Sequence, residues 1–121
     1  MMAKKYANKI TLPFPPTINS YYRSIPRGKI CQSILSAKGR EYKEKVHAFL
    51  GEGNPTDQRL MMQIKLFMPD KRRRDIDNYL KALLDSLTGI IYNDDSQIDC
   101  LAISREEVTK FGKVEITIRG I

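Results

Sequence analysis

The chain has 121 residues, enough for one hydrophobic core and too few for two, so a single domain spanning residues 1–121 is expected. Its 21 Lys and Arg against 14 Asp and Glu give a net charge of +7, which favours an acidic partner without choosing among DNA, RNA and an anionic membrane. No apolar run approaches the roughly 20 residues that span a bilayer, and the opening MMAKKYANKI lacks the apolar region of a signal peptide. Cys31 and Cys100 lie far apart in no metal-ligand spacing, so the expectation is a cytoplasmic protein with reduced thiols and no membrane partner.

Lys9 to Leu12 alternates polar with apolar residues before Pro13 removes a backbone donor, which predicts a short or edge strand. The prolines of LPFPPTINSYYRSIPRGK then favour extended geometry. Here Asn19, Tyr21, Tyr22 and Arg23 admit two readings, stacking on bases or binding phosphate, or closing the core beside a strand, and core closure is preferred. Gly28 to Leu35 reads as a weak strand, and Ser36 is placed to cap a helix running to about Leu50 with Tyr42, Val46, Phe49 and Leu50 on its apolar face. His47 falls on the polar side without a partner at ligand spacing and is left out of any site. Gly51 to Asp57 is a loop, and the alternation of Met62, Ile64, Leu66 and Met68 predicts an internal strand, partly covered on both sides and ended by Pro69.

The next stretch, Asp70 to Ile98, carries the chemistry. Lys71, Arg72, Arg73 and Arg74 repel one another unless a polyanion supplies countercharge, and a phosphate backbone is the natural DNA-binding partner for them. Asp75, Asp77, Asp94 and Asp95 would repel that backbone, unless a hard divalent cation such as magnesium joins carboxylates to phosphate. A helix is predicted from about Ile76 to Thr88, with Asp75 as its cap, Gly89 as its end, and Ile76, Tyr79, Leu80, Leu83, Leu84 and Leu87 facing the core. Two helical residues at that spacing point about 200° apart and could not share an ion, so Asp75 belongs in an extended lead-in and Asp77 in the first turn, with Lys81 one turn further on the same face. An ordinary capped helix with an Asp77–Lys81 surface pair would also explain these residues. Asn93 to Gln97 fits a tight turn, or else a return of the chain that brings Asp95 to the helix start and completes a three-carboxylate cluster; the second is favoured. Strands follow at about Ile98 to Val108 and Gly112 to Arg119, joined by a hairpin turn at Lys110 to Gly112. The fold expected is α+β, a mixed sheet of about four to five strands with two main helices.

LPFPPTINSYYR, MPDKRRRDIDNYLKALLDSL and NDDSQI, in this order and approximate spacing, resemble the RusA family of Holliday junction resolvases, small endonucleases of bacteria and their phages. The resemblance covers nearly all of the chain. It implies that Asp75, Asp77 and Asp95 bind the metal, that Lys81 is the basic residue needed for cleavage, and that Arg74 contacts DNA; Asp94 and Asn78 are neighbours within the same motifs. It further implies a homodimer that resolves four-way DNA junctions by paired symmetric nicks in recombination and repair, with Mg2+ as cofactor, Mn2+ as an alternative, and a phage or prophage origin. Asn19, Tyr22 and Arg23 remain further candidates for DNA contact. Two other functions fit the same residues: a metal-dependent nuclease preferring flaps, forks or RNA, and a non-catalytic junction-binding protein.

Overall fold

Residues 6–121 are described by a computed structural model of the chain. The strands are β1 (Ala7–Leu12), β2 (Tyr22–Arg27), β3 (Ile30–Leu35), β4 (Leu60–Phe67), β5 (Ile98–Arg105) and β6 (Lys113–Gly120). Four of them form a mixed sheet in the order β1-β6-β4-β5, in which β4 and β5 are parallel and the other pairs antiparallel. The α-helices are α1 (Ile18–Tyr21), α2 (Ala37–Leu50) and α3 (Leu80–Leu87), of which α2 and α3 are the main two. Among the described residues, no helix is long and apolar enough to cross a membrane.

Period-two patterning decides which face of the sheet is covered. Met62, Ile64 and Leu66 of β4, Val114, Ile116 and Ile118 of β6, and Leu12 of β1 are buried in one core with Tyr42 and Val46 of α2 and Leu83 and Leu87 of α3. Each such aliphatic side chain contributes roughly 1.5–3 kcal/mol by leaving water. The opposite face of β4 is partly covered, as expected, with Gln63 and Lys65 exposed and Met61 and Phe67 sheltered at its ends. There Arg119 donates to the Met61 sulfur at 3.4 Å and the Lys113 ammonium lies 4.6 Å from the Phe67 ring centre.

β1 is an edge strand, as Pro13 requires, and β4 is internal. The expected hairpin between the last two strands does not form, because β4 lies between β5 and β6. Lys110 to Gly112 do turn, with Phe111 and Gly112 at positive φ, but the connection crosses the end of β4, where the Glu106 and Thr109 amides donate to Leu66 and Met68 carbonyls at 2.8 and 2.9 Å. The most apolar strand thereby gains a neighbour on each side. The β4–β5 pair is parallel and so needs a crossover, which α3 supplies.

Ser36 caps α2 as its sequence suggests. Its hydroxyl accepts from the Gly39 amide at 2.9 Å and also donates to the Ser20 carbonyl, which ties α2 to α1. Ser36→Ala should lower stability by about 1 kcal/mol, read as an earlier urea midpoint at unchanged slope. Tyr42 and Val46 face the core and the partly buried Leu50 packs against it, whereas Phe49 is 64% exposed and lies off the inward stripe of α2.

The proline-rich segment departs most from expectation. Thr17 accepts from the Ser20 amide and starts α1, after which Tyr22–Arg27 forms a strand paired with Ile30–Leu35 across Gly28, whose φ is +65°. Pro26 is tolerated because the two strands form a separate ribbon with both outer edges unpaired. Core closure and exposure divide this segment between them: Tyr21 is fully buried, whereas Asn19 and Arg23 are exposed and Tyr22 is half-buried.

Candidate active site

The basic run leaves the end of β4 at Met68 and Pro69, a rigid support, and reaches a 3-10 turn over Ile76–Tyr79 that leads into α3. Asp75 is extended at φ −87° and ψ 133°, but its side chain does not cap the turn. Tyr79 anchors the turn, buried against the Phe14 ring at 4.8 Å between centres, so the PFPP segment holds the start of the site. Beyond it Tyr79, Leu83 and Leu87 face the core as the spacing predicts; Ile76, Leu80 and Leu84 are only half-buried, and Ala82 and Ser86 are buried instead. The 3-10 turn accounts for the rotation. At 120° per residue over its length, it sets Lys81 about 80° around from Asp77, twice the offset of a continuous α-helix. Lys81 accordingly pairs with Asp85 at 3.1 Å rather than with Asp77.

The four cations are not equivalent. Lys71, Arg72 and Arg73 are exposed, although Arg72 also reaches Asp70 at 3.2 Å. Arg74 is largely enclosed: its guanidinium pairs with the Asp70 carboxylate, and its carbonyl accepts from Arg105 of β5 at 2.5 Å. Hydrogen bonding from Arg74, then the Arg72 amide, holds Asp70 well below the usual carboxylate range. Arg72, Arg73, Arg74, Asp75, Asn78 and Tyr79 line a groove of about 560 Å³ together with Thr17.

The acidic turn after α3 is a local structure in its own right. Asp94 caps a 3-10 turn over Asp95–Gln97, accepting from the Ser96 amide at 2.8 Å, which holds its carboxyl below the ordinary range with help from Lys81. The tight-turn reading therefore describes residues 93–97. Asp95 is half-buried, and its charge adds to burial in pushing Asp85 upward. Two residues here escape the sequence reading. Gln97 is buried, accepts from the Asn93 and Asp94 amides at 2.9 and 3.0 Å, and donates to the carbonyls of Thr56 and Gln58, both at 2.9 Å. Its signal was the D-x-x-Q spacing of a capping box. Asp85 had no such signal beyond its spacing from Lys81.

Asp75 and Asp77 are both exposed, and among the described residues neither carboxylate has a hydrogen-bond or ion-pair partner within the chain. Asp70, Asp85, Asp94 and Asp99 are all engaged. Among the described residues, no three His, Cys, Asp or Glu side chains come together closely enough to hold a metal ion, so the single chain does not gather Asp75, Asp77 and Asp95 into one cluster. The donors nearby are all oxygens, which suits a hard cation such as magnesium, an ion that commonly rests on one or two carboxylates plus substrate phosphate. Both thiols lie elsewhere, exposed on β3 and β5, and His47 sits on α2 beside Leu35, Arg40 and Lys43.

Residues 13–119 match the family model described as Endodeoxyribonuclease RusA. The chain is 40% identical over 114 residues to the crossover junction endodeoxyribonuclease RusA of Enterobacteria phage 82 and to that of Escherichia coli strain K12, in each case over 90% of this chain and 91% of the relative. It is 36% identical to that of Enterobacteria phage HK97, over 91% of this chain and 92% of the relative.

Proposed function

Because the chain belongs to the RusA family of endodeoxyribonucleases, we propose that it resolves four-way DNA junctions by paired, metal-dependent nicks, acting as a cytoplasmic homodimer in recombination and repair. The observation that carries this reading is two unengaged carboxylates, Asp75, which lines a groove walled by arginines, and Asp77, exposed two residues on. Carboxylates without internal partners are left for an external ion, and the exposed Arg73, with Arg72 at the surface beside it, is left for phosphate, while Arg74 is taken up by Asp70.

Asp75 and Asp77 would hold the divalent cation, Mg2+ by preference and Mn2+ as a substitute, beside the scissile phosphate. A bound divalent cation supplies Lewis-acid polarisation of the phosphoryl oxygens and a water of lowered pKa. Arg72 and Arg73 bind the flanking phosphates, while the Asp70–Arg74 pair fixes the lead-in so that Asp75 keeps its extended geometry. Lys81 stabilises negative charge developing on the leaving oxygen, an interaction that gains strength in the transition state. Asp95 would be the third ligand; among the described residues of one chain it does not stand with Asp75 and Asp77 in a three-carboxylate cluster. A two-fold enzyme also matches a substrate with two scissile phosphates related by a two-fold axis.

Cleavage of four-way, flap, fork, RNA and linear duplex substrates should be compared at one fixed salt concentration, because backbone affinity changes steeply with ionic strength. Paired symmetric cuts in the four-way DNA junction, with little product from the rest, are expected. Preferential cutting of flaps or RNA would overturn the junction assignment and keep the carboxylate chemistry.

A further inference from the structure

Every acidic residue of the chain lies at Glu41 or later, so the first forty residues carry only positive formal charge. The β2–β3 ribbon stands within that stretch. It forms its own two-stranded sheet and presents Arg23, Arg27 and Lys29 on exposed positions, none with an ion-pair partner among the described residues. Arg27 is held by a neutral contact alone, donating to Gln32 at 3.1 Å. At its base a polar groove of about 420 Å³ is lined by Ile18, Asn19, Tyr22, Arg23, Ser24 and Ser33. Thr17, the preceding residue, lines the groove that contains Asp75 and the arginines, so consecutive residues at the start of α1 line the two grooves.

The base of the ribbon is firmly placed. Tyr21 is buried with its hydroxyl 3.3 Å from that of Ser86 on α3, Tyr22 packs edge-on against Tyr21, and Ser36 holds the Ser20 carbonyl. Six residues per strand give the ribbon a reach of roughly 20 Å, and a two-stranded ribbon is a shape that the DNA major groove admits.

We propose that the β2–β3 ribbon is a second DNA-binding element, in which Arg23, Arg27 and Lys29 grip the sugar-phosphate backbone of a duplex arm that continues past the carboxylate site over α1. This inference rests on the junction-cleaving function proposed above and adds to it a contact surface outside the cleavage groove. Unneutralised cations on a polar, projecting ribbon match a polyanion, whereas an apolar partner would find only Ile30 prominently exposed there.

The test measures junction affinity in chelator, from 50 to 200 mM salt, for native protein and for a variant carrying Arg23→Gln, Arg27→Gln and Lys29→Gln. Losing three phosphate contacts should shrink the fall in affinity across that range by about 40-fold. Cys31, exposed on β3, gives a second readout that leaves the cations intact. In a Cys100→Ser background, saturating junction DNA should slow maleimide alkylation of Cys31 about tenfold or more. A native salt dependence in the variant, in protein that still cleaves junctions when native, overturns the ribbon contact alone, as does a Cys31 that reacts equally fast with and without DNA. Native protein that neither binds nor cleaves a junction overturns the underlying function, and the ribbon contact with it.

Discussion

Asp77→Asn should reduce saturated, single-turnover junction cleavage by a factor on the order of 10²–10³ or more while leaving junction affinity in chelator equal or higher. The two effects have one cause. Asp77 is exposed and, among the described residues, has no partner within the chain, so its charge stabilises nothing internal. Removing it relieves repulsion with the phosphate backbone but takes away an anionic ligand from the cation. Fold stability should be nearly unchanged, because an exposed side chain without contacts contributes within about 0.5 kcal/mol. Asp94→Asn should behave differently: that carboxylate caps the 3-10 turn before β5, so its loss weakens local structure as well. A Asp77→Asn protein that cleaves at the native saturated rate would remove Asp77 from the chemistry.

Gly39→Ala should destabilise the protein by about 1–3 kcal/mol, although alanine is intrinsically the better helix former by about 1 kcal/mol. A Cβ at residue 39 would lie 2.3 Å from the Tyr21 carbonyl oxygen and 3.2 Å from Leu35, so the first turn of α2 must move away from α1. A backbone atom cannot rotate aside as a side chain does. Because Tyr21 also leads directly into the ribbon, junction affinity should fall together with the urea midpoint. A gain in stability would show that α1 yields freely and that its contact with α2 does not fix the ribbon.

How much of this was legible depends on how local each determinant is. The alternation through Met62, Ile64 and Leu66 sufficed to place β4, and Ser36 marked the start of α2, because both signals lie within a few residues of what they specify. The β2 strand was hidden by Pro26, whose lack of an amide argues against a strand unless the free edge of a ribbon is known in advance. Lys110 to Gly112 were correctly read as a turn, yet strand order depends on which neighbour best covers β4, a competition settled across the whole sheet. Family resemblance in MPDKRRRDIDNYLKALLDSL carried the functional class, and the extended lead-in at Asp75 followed from helical angles together with the expectation that Asp75 and Asp77 share an ion. The grouping of carboxylates was the least legible. The turn that carries Asp95 is tied by the Gln97 side chain to the Thr56 carbonyl, about forty residues away, and a 3-10 turn precedes α3, where Lys81 pairs with Asp85.

The most direct measurement is cleavage of a synthetic four-way junction, with linear duplex as control, by native protein and by Asp75→Asn in magnesium and again with chelator, with binding measured in parallel. The account predicts paired symmetric nicks from native protein only, abolished by chelator, while Asp75→Asn still binds the junction. Tight junction binding without cleavage by pure, folded native protein in magnesium would contradict it and leave a non-catalytic junction-binding protein.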